Sequence, residues 1–196
     1  EGPLVIVSHS GAGVLATALA EAMPERIQAV VYIAGMMLPS GMGFSDLTAT
    51  LEAEHPEVTG INPFLLWNED HSVSEVPLIA ARNVFFQDLD DKTAIIAAQQ
   101  LCPQPLGGLA LMTCWTEENF GRVPRLYIEA TQDKSVTLVA QREMQKRVPG
   151  AQVVSFDTGH APQVGKPVEV AHAIDDFLHT HGGGEASETV PLRVNE

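Results

Sequence analysis

Residues 4–16 read LVIVSHSGAGVLA: four apolar residues, then Ser-His-Ser-Gly-Ala-Gly, then small and apolar residues at helical spacing. Leu4–Val7 is short, β-branched and wholly apolar, the pattern of a strand covered on both faces. Gly11–Met23 carries Val14, Leu15, Ala18, Leu19 and Ala22 at helical spacing, and Pro24 closes it. Ile27–Ala34 (IQAVVYIA) is a second buried strand. Strand, helix and strand at this spacing make a βαβ unit, which implies a parallel sheet with right-handed crossovers.

The same grammar returns near the other end of the chain. Arg125–Ala130 (RLYIEA) is a strand, Val136–Arg147 a helix stopped by Pro149-Gly150, and Ala151–Phe156 (AQVVSF) another strand. Pro167–His179 is a helix with Val170, Ala173, Ile174, Phe177 and Leu178 inward. Residues 36–120 contain no run that resembles a buried strand. A loop at 36–43, a short helix in Phe44–Glu54 and helical patterns in Val76–Phe86 and Asp91–Leu101 form an insertion, broken by Pro103, Pro105 and Gly107-Gly108. The expected division is a core of 1–35 and 121–180, a helical cap of 36–120, and a polar, glycine-rich, disordered tail of 181–196.

A chain of 196 residues can bury one sizeable core. Its net charge of −14 argues against nucleic acid and anionic membrane surfaces as partners, since both reward a basic patch. No segment approaches the roughly 18 apolar residues of a membrane span, and no charged-then-apolar leader is present. Cys102 and Cys114 have neither metal spacing nor a disulfide framework, so they are read as free, buried thiols in a reduced, cytoplasmic setting. His55, His71, His172, His179 and His181 lack carboxylate or thiol partners at ligand spacing, and no metal is expected.

In an open α/β sheet, reactive groups gather beyond the C-terminal ends of the strands. The first strand ends in Ser8-His9-Ser10-Gly11-Ala12. A sharp strand-to-helix turn of this kind strains its middle residue, needs small neighbours and exposes the serine oxygen. Ser10 is then the candidate nucleophile, and the Gly11 N–H a donor to a developing oxyanion. The third strand ends in Thr131-Gln132-Asp133, the fourth in Asp157-Thr158-Gly159-His160. A hydroxyl needs a base, which His160 supplies, and Asp133 is placed to fix the imidazole's tautomer.

Each residue has a plain structural reading: Ser10 as a helix N-cap, Asp133 as a cap ahead of Val136, His160 as a loop residue. Their joint placement at three strand ends, in the order Ser, Asp, His, favours a triad. Asp157 is a competing acid, three residues before His160. His9 is read as packing or hydrogen bonding, and Ser8 as satisfying backbone groups below the turn. Met36, Met37, Met42, Trp67, Phe85, Phe86 and Trp115 are read as core packing with a subset facing substrate.

Four stretches carry a family resemblance: VIVSHSGAG, VVYIAGMMLPSG, RVPRLYIEATQDKSV and VVSFDTGHAPQVGKPVEVAHAIDDFL. They resemble the α/β-hydrolase superfamily, specifically its esterase and hydroxynitrile lyase branch, with plant methylesterases and bacterial relatives. The resemblance runs from residue 1 to about 180. It implies an α/β-hydrolase fold: a mostly parallel sheet, helices on both faces and a helical cap. It also implies cleavage of a small-molecule ester through Ser10, Asp133 and His160, with Gly11 at the oxyanion and no cofactor.

Some positions depart from the family. The elbow is usually Gly-x-Ser-x-Gly, and its outer positions here are Ser8 and Ala12, the latter expected to crowd the helix. Lyase members place a lysine directly after the catalytic histidine; Ala161 there favours an esterase. Members also carry strands and helices ahead of the elbow, including the loop with the second oxyanion N–H. The expectation is therefore that the N-terminal part of the fold is absent, leaving Leu4–Val7 a bare edge prone to self-association. Losing one oxyanion donor would cost about 3–4 kcal/mol of transition-state stabilisation. Two rival readings stand beside the esterase: hydroxynitrile cleavage by the same triad, and an inactive truncated hydrolase that binds a partner.

Overall fold

The computed structural model describes residues 2–181; the stretch from Gly182, expected to be a disordered tail, lies outside the described residues. The chain begins with β1 (Leu4–His9), α1 (Ala12–Ala22) and β2 (Ile27–Ile33). It crosses the insertion as α2 (Phe44–Ala49), β3 (Leu66–Trp67), β4 (Val73–Glu75), α3 (Leu78–Val84), α4 (Asp91–Ala98), β5 (Gln104–Pro105) and α5 (Leu106–Leu109). It closes with β6 (Arg125–Ala130), α6 (Leu138–Arg147), β7 (Ala151–Phe156), α7 (Pro162–Gly165) and α8 (Pro167–His181).

β1, β2, β6 and β7 form one parallel sheet in that spatial order. The register pairs His9 with Ile33, Ile33 with Ile128, and Ala130 with Phe156, so the C-terminal ends of all four strands lie at one edge. Alternation along the central strands divides the core between two faces. Tyr32 and Tyr127 pack with Ala16 and Ala20 of α1 on one face, while Val31, Ile33, Leu126 and Ile128 pack with Val170 and Phe177 of α8 on the other. The buried phenols are satisfied: the Tyr127 hydroxyl donates to the Gly35 carbonyl at 2.8 Å, and that of Tyr32 bonds the Thr17 hydroxyl at 2.7 Å. A parallel sheet with helices on both faces is the α/β architecture expected from the sequence.

The structure departs from the sequence reading at several points. Among the described residues β1 pairs with β2 alone, so it is the bare edge expected for Leu4–Val7; Leu4 and Val7 are 48% and 51% exposed, and only the reading of the apolar run as a strand covered on both faces fails. The insertion holds more than helices: β3, β4 and β5 form a small antiparallel sheet, in strands too short to show any periodicity in the sequence. Cys102 and Cys114 are free, as expected, but exposed rather than buried. Among the described residues, no helix is long and apolar enough to cross a membrane.

Candidate active site

The chain leaves β1 through a tight elbow. Ser10 has φ +53°, a left-handed conformation that costs a non-glycine residue about 1–2 kcal/mol. Three hydrogen bonds hold it there: Ser10 N–H donates to the Ile33 carbonyl at 3.2 Å, and the Ser10 carbonyl accepts from Gly13 N at 3.0 Å and Met36 N at 2.9 Å. Below the turn, the buried Ser8 hydroxyl donates to the Val31 carbonyl at 3.0 Å, the backbone role anticipated for it. Ala12 is exposed, so its methyl group does not crowd the helix. The tight position is one residue further on: a Cβ at Gly13 would stand 2.7 Å from Met36 N and 2.9 Å from Met36 O.

Asp133 lies in the turn after β6 with its side chain fully covered. One carboxylate oxygen accepts from the N–H groups of Ser135 at 2.7 Å and Val136 at 3.0 Å, and the other faces His160 Nδ1 at 2.8 Å. That geometry assigns the Nδ1 proton of neutral His160 to the bond with Asp133, leaving Nε2 as an acceptor 3.0 Å from Ser10 Oγ. Three residues from the loops after β1, β6 and β7 thus meet above the sheet. Asp157, the competing acid, is turned elsewhere and accepts from the Thr131 hydroxyl at 3.3 Å.

Two supporting residues escaped the sequence reading. Gln141 on α6 is completely buried; it accepts from Ala130 N–H and donates to the Ala130 and Val136 carbonyls, which bracket the Asp133 turn. Its amide nitrogen also lies 3.4 Å from Asp133 Oδ2. A signal was present, since Gln141 sits on the same helical stripe as Ala140 and Met144. The second is Gln87 of the insertion, whose amide donates to the Gln132 carbonyl at 2.7 Å, next to Asp133. No motif announces that contact.

A cavity of about 210 Å³ opens over Ser10 and Gly11. Its walls combine apolar side chains such as Val14, Ile61 and Leu65 with neutral polar ones such as Asn62 and Ser135, and among the described residues no charged side chain lines it. Of the methionines and aromatics considered for substrate contact, Met36 and Phe85 reach the cavity. Met37 is fully buried in the core, Met42 packs against the cluster around Leu47 and Met144, and Phe86 sits in the insertion's own core. Trp115 stacks edge-on to Phe120 and donates to the Leu38 carbonyl at 2.9 Å, while the ring of Trp67 lies 6.1 Å from that of His71.

Known proteins resemble this chain in sequence and in fold. The chain is 29% identical over 191 residues to a pyrethroid hydrolase of Sphingobium wenxiniae, a match covering 90% of this chain and 64% of that protein. It is 27% identical over 179 residues to methylesterase 17 of Arabidopsis thaliana, covering 84% of this chain and 62% of the relative. The chain therefore spans less than two thirds of the length of either. The crystal structure of a pyrethroid hydrolase from Sphingobium faniae superposes with a TM-score of 0.76 at 26% identity, over 91% of this chain and 72% of the other. Polyneuridine aldehyde esterase shares the fold at a TM-score of 0.72 and 22% identity, over 90% and 72% of the two chains. The profile of the alpha/beta hydrolase family matches residues 1–173, the greater part of the sequence, and this protein belongs to that family.

Proposed function

We propose that this chain is a carboxylesterase that cleaves small, uncharged esters through an acyl-enzyme on Ser10. The observation that carries the reading is the relay itself: His160 lies 3.0 Å from the Ser10 hydroxyl through Nε2 and 2.8 Å from Asp133 through Nδ1. Serine is a poor nucleophile at neutral pH unless a base takes its proton as it attacks. His160 Nε2 accepts that proton while Ser10 Oγ bonds to the ester carbonyl carbon, and Asp133 stabilises the imidazolium that forms. The Gly11 N–H, next after the nucleophile, donates to the oxyanion. His160 then returns the proton to the departing alkoxide, releasing an alcohol and leaving Ser10 acylated. Water attacks the acyl group by the same base catalysis, giving a carboxylic acid and free Ser10.

Two further observations favour ester cleavage of this kind. Among the described residues no charged side chain lines the cavity over Ser10, so it desolvates an uncharged substrate without stranding a charge. Ala161, directly after His160, is buried and brings no cation beside the imidazole. The names of the relatives, a hydrolase of pyrethroids and a methylesterase, point the same way. The test is turnover of p-nitrophenyl acetate by the chain and by Ser10→Ala. A p-nitrophenol burst followed by steady release, absent from Ser10→Ala, supports the reading. Equal background release from both removes it and leaves the non-catalytic binding chain as the alternative.

A further inference from the structure

The sheet order places β1 and β7 on opposite edges, with β2 and β6 between them. Adjacent strands lie about 4.8 Å apart, so the elbow and the loop bearing His160 leave the sheet roughly 14 Å from each other. No ladder hydrogen bond joins them. Yet the proton transfer from Ser10 requires the two to be held at hydrogen-bond distance. Besides the bond between Ser10 and His160, one hydrogen bond connects residues 8–12 with residues 157–161 among the described residues. It is made by His9 Nε2, which lies 2.7 Å from the main-chain carbonyl oxygen of His160. A carbonyl only accepts, so Nε2 carries the proton. The His9 and His160 rings also pack against each other, tilted by 49° with centroids 4.6 Å apart.

We propose that His9 is a positioning residue that holds the base loop over the elbow, so that His160 Nε2 stays within reach of Ser10 Oγ. The inference rests on the esterase reading of Ser10 and His160. The residue type suits the task. The ring spans from the elbow to the His160 main chain and presents a single N–H there. Burial, and next the charge of His160, lower the pKa of His9 to about 4. It therefore stays neutral near pH 7 and adds no positive charge beside the imidazolium formed during turnover. Misplacing a reacting group by about 1 Å costs on the order of 100-fold in rate, which sets the scale of the effect.

The experiment compares the chain with His9→Phe, which keeps an aromatic ring without the donor, and His9→Gln, which keeps an N–H of similar reach. The kcat and KM for p-nitrophenyl acetate are measured together with the solvent-exchange rate of the His160 Nδ1 proton by NMR. For His9→Phe, kcat is expected to fall about 10- to 100-fold with KM within about threefold, and the Nδ1 proton to exchange faster. His9→Gln is expected to recover most of both. Equal behaviour of all three proteins overturns the inference, as does an equal loss in both variants, since the donor then does not matter. The exchange rate needs no turnover: an inactive parent chain sinks the esterase reading while exchange still decides the role of His9. If His9→Phe does not fold, His9→Met supplies the donor-free comparison.

Discussion

Replacing Gly13 by alanine sets two effects of opposite sign against each other at the base of the elbow. Gly13 is the second residue of α1, and alanine in a helix is favoured over glycine by about 1 kcal/mol. Against that, the new Cβ would lie 2.7, 2.9 and 3.0 Å from the N, O and C atoms of Met36. These are main-chain atoms, not the end of a flexible side chain. The Met36 N–H is also bonded to the Ser10 carbonyl at 2.9 Å, so Met36 cannot recede without weakening that bond. Overpacking of this kind costs about 1–3 kcal/mol, and the strained hydrogen bond adds about 1 kcal/mol. The net is a destabilisation of about 1–3 kcal/mol, which for a chain of this size lowers Tm by roughly 3–10 °C. Thermal unfolding followed by circular dichroism measures it. Esterase activity at 25 °C, where the variant remains folded, should drop as well, because Met36 both braces Ser10 and lines the cavity. A Tm equal to or above that of the parent chain would show that helix propensity wins and that the contact with Met36 is not binding.

Two more outcomes follow from the site. Asp133→Asn keeps an oxygen for the Ser135 and Val136 N–H groups but turns an amide N–H toward His160 Nδ1, favouring the wrong tautomer; kcat should fall on the order of 10⁴-fold with Tm little changed, as read by kinetics and melting side by side. Stability should also depend on pH through His9. Its pKa is about 4 in the fold against 6.5 ordinarily, so between those values the unfolded chain binds more protons and stability rises with pH. About 3 kcal/mol is therefore lost on going from pH 6.5 to 4, and His9→Gln should remove that part of the slope in denaturant titrations; an unchanged slope would contradict the assignment.

The parts of this fold visible in the sequence are those where a physical pattern repeats. β2 and β6 are buried along almost their whole length, and each reads as a mainly apolar run, broken by Gln28 in β2 and by Arg125 and Glu129 in β6. Ser10, Asp133 and His160 were legible because each follows a strand whose C-terminal end is recognisable, and because their residue types, their order and the surrounding motifs suit a triad. β1 has the same apolar character as the central strands, and nothing in its residues distinguishes an edge from an interior place. The insertion was the least legible region. β3 and β5 are two residues long, and β5 includes Pro105, so neither leaves an alternating pattern. Which of the methionines and aromatics face the cavity depends on how that insertion closes over the sheet, a matter of tertiary packing. Gly13 looked ordinary within its helix and Gln141 was marked only by its place on the buried stripe of α6, because their importance lies in one backbone contact and one buried hydrogen-bond cluster.

The central claim is that Ser10 is an activated nucleophile. It is tested most directly by treating the chain with a fluorophosphonate and locating the adduct by peptide mass mapping. The account predicts a single adduct on the peptide carrying Ser10, lost in His160→Ala, with the other serines unmodified. A folded chain whose Ser10 stays unmodified, or one labelled equally well without His160, would contradict it.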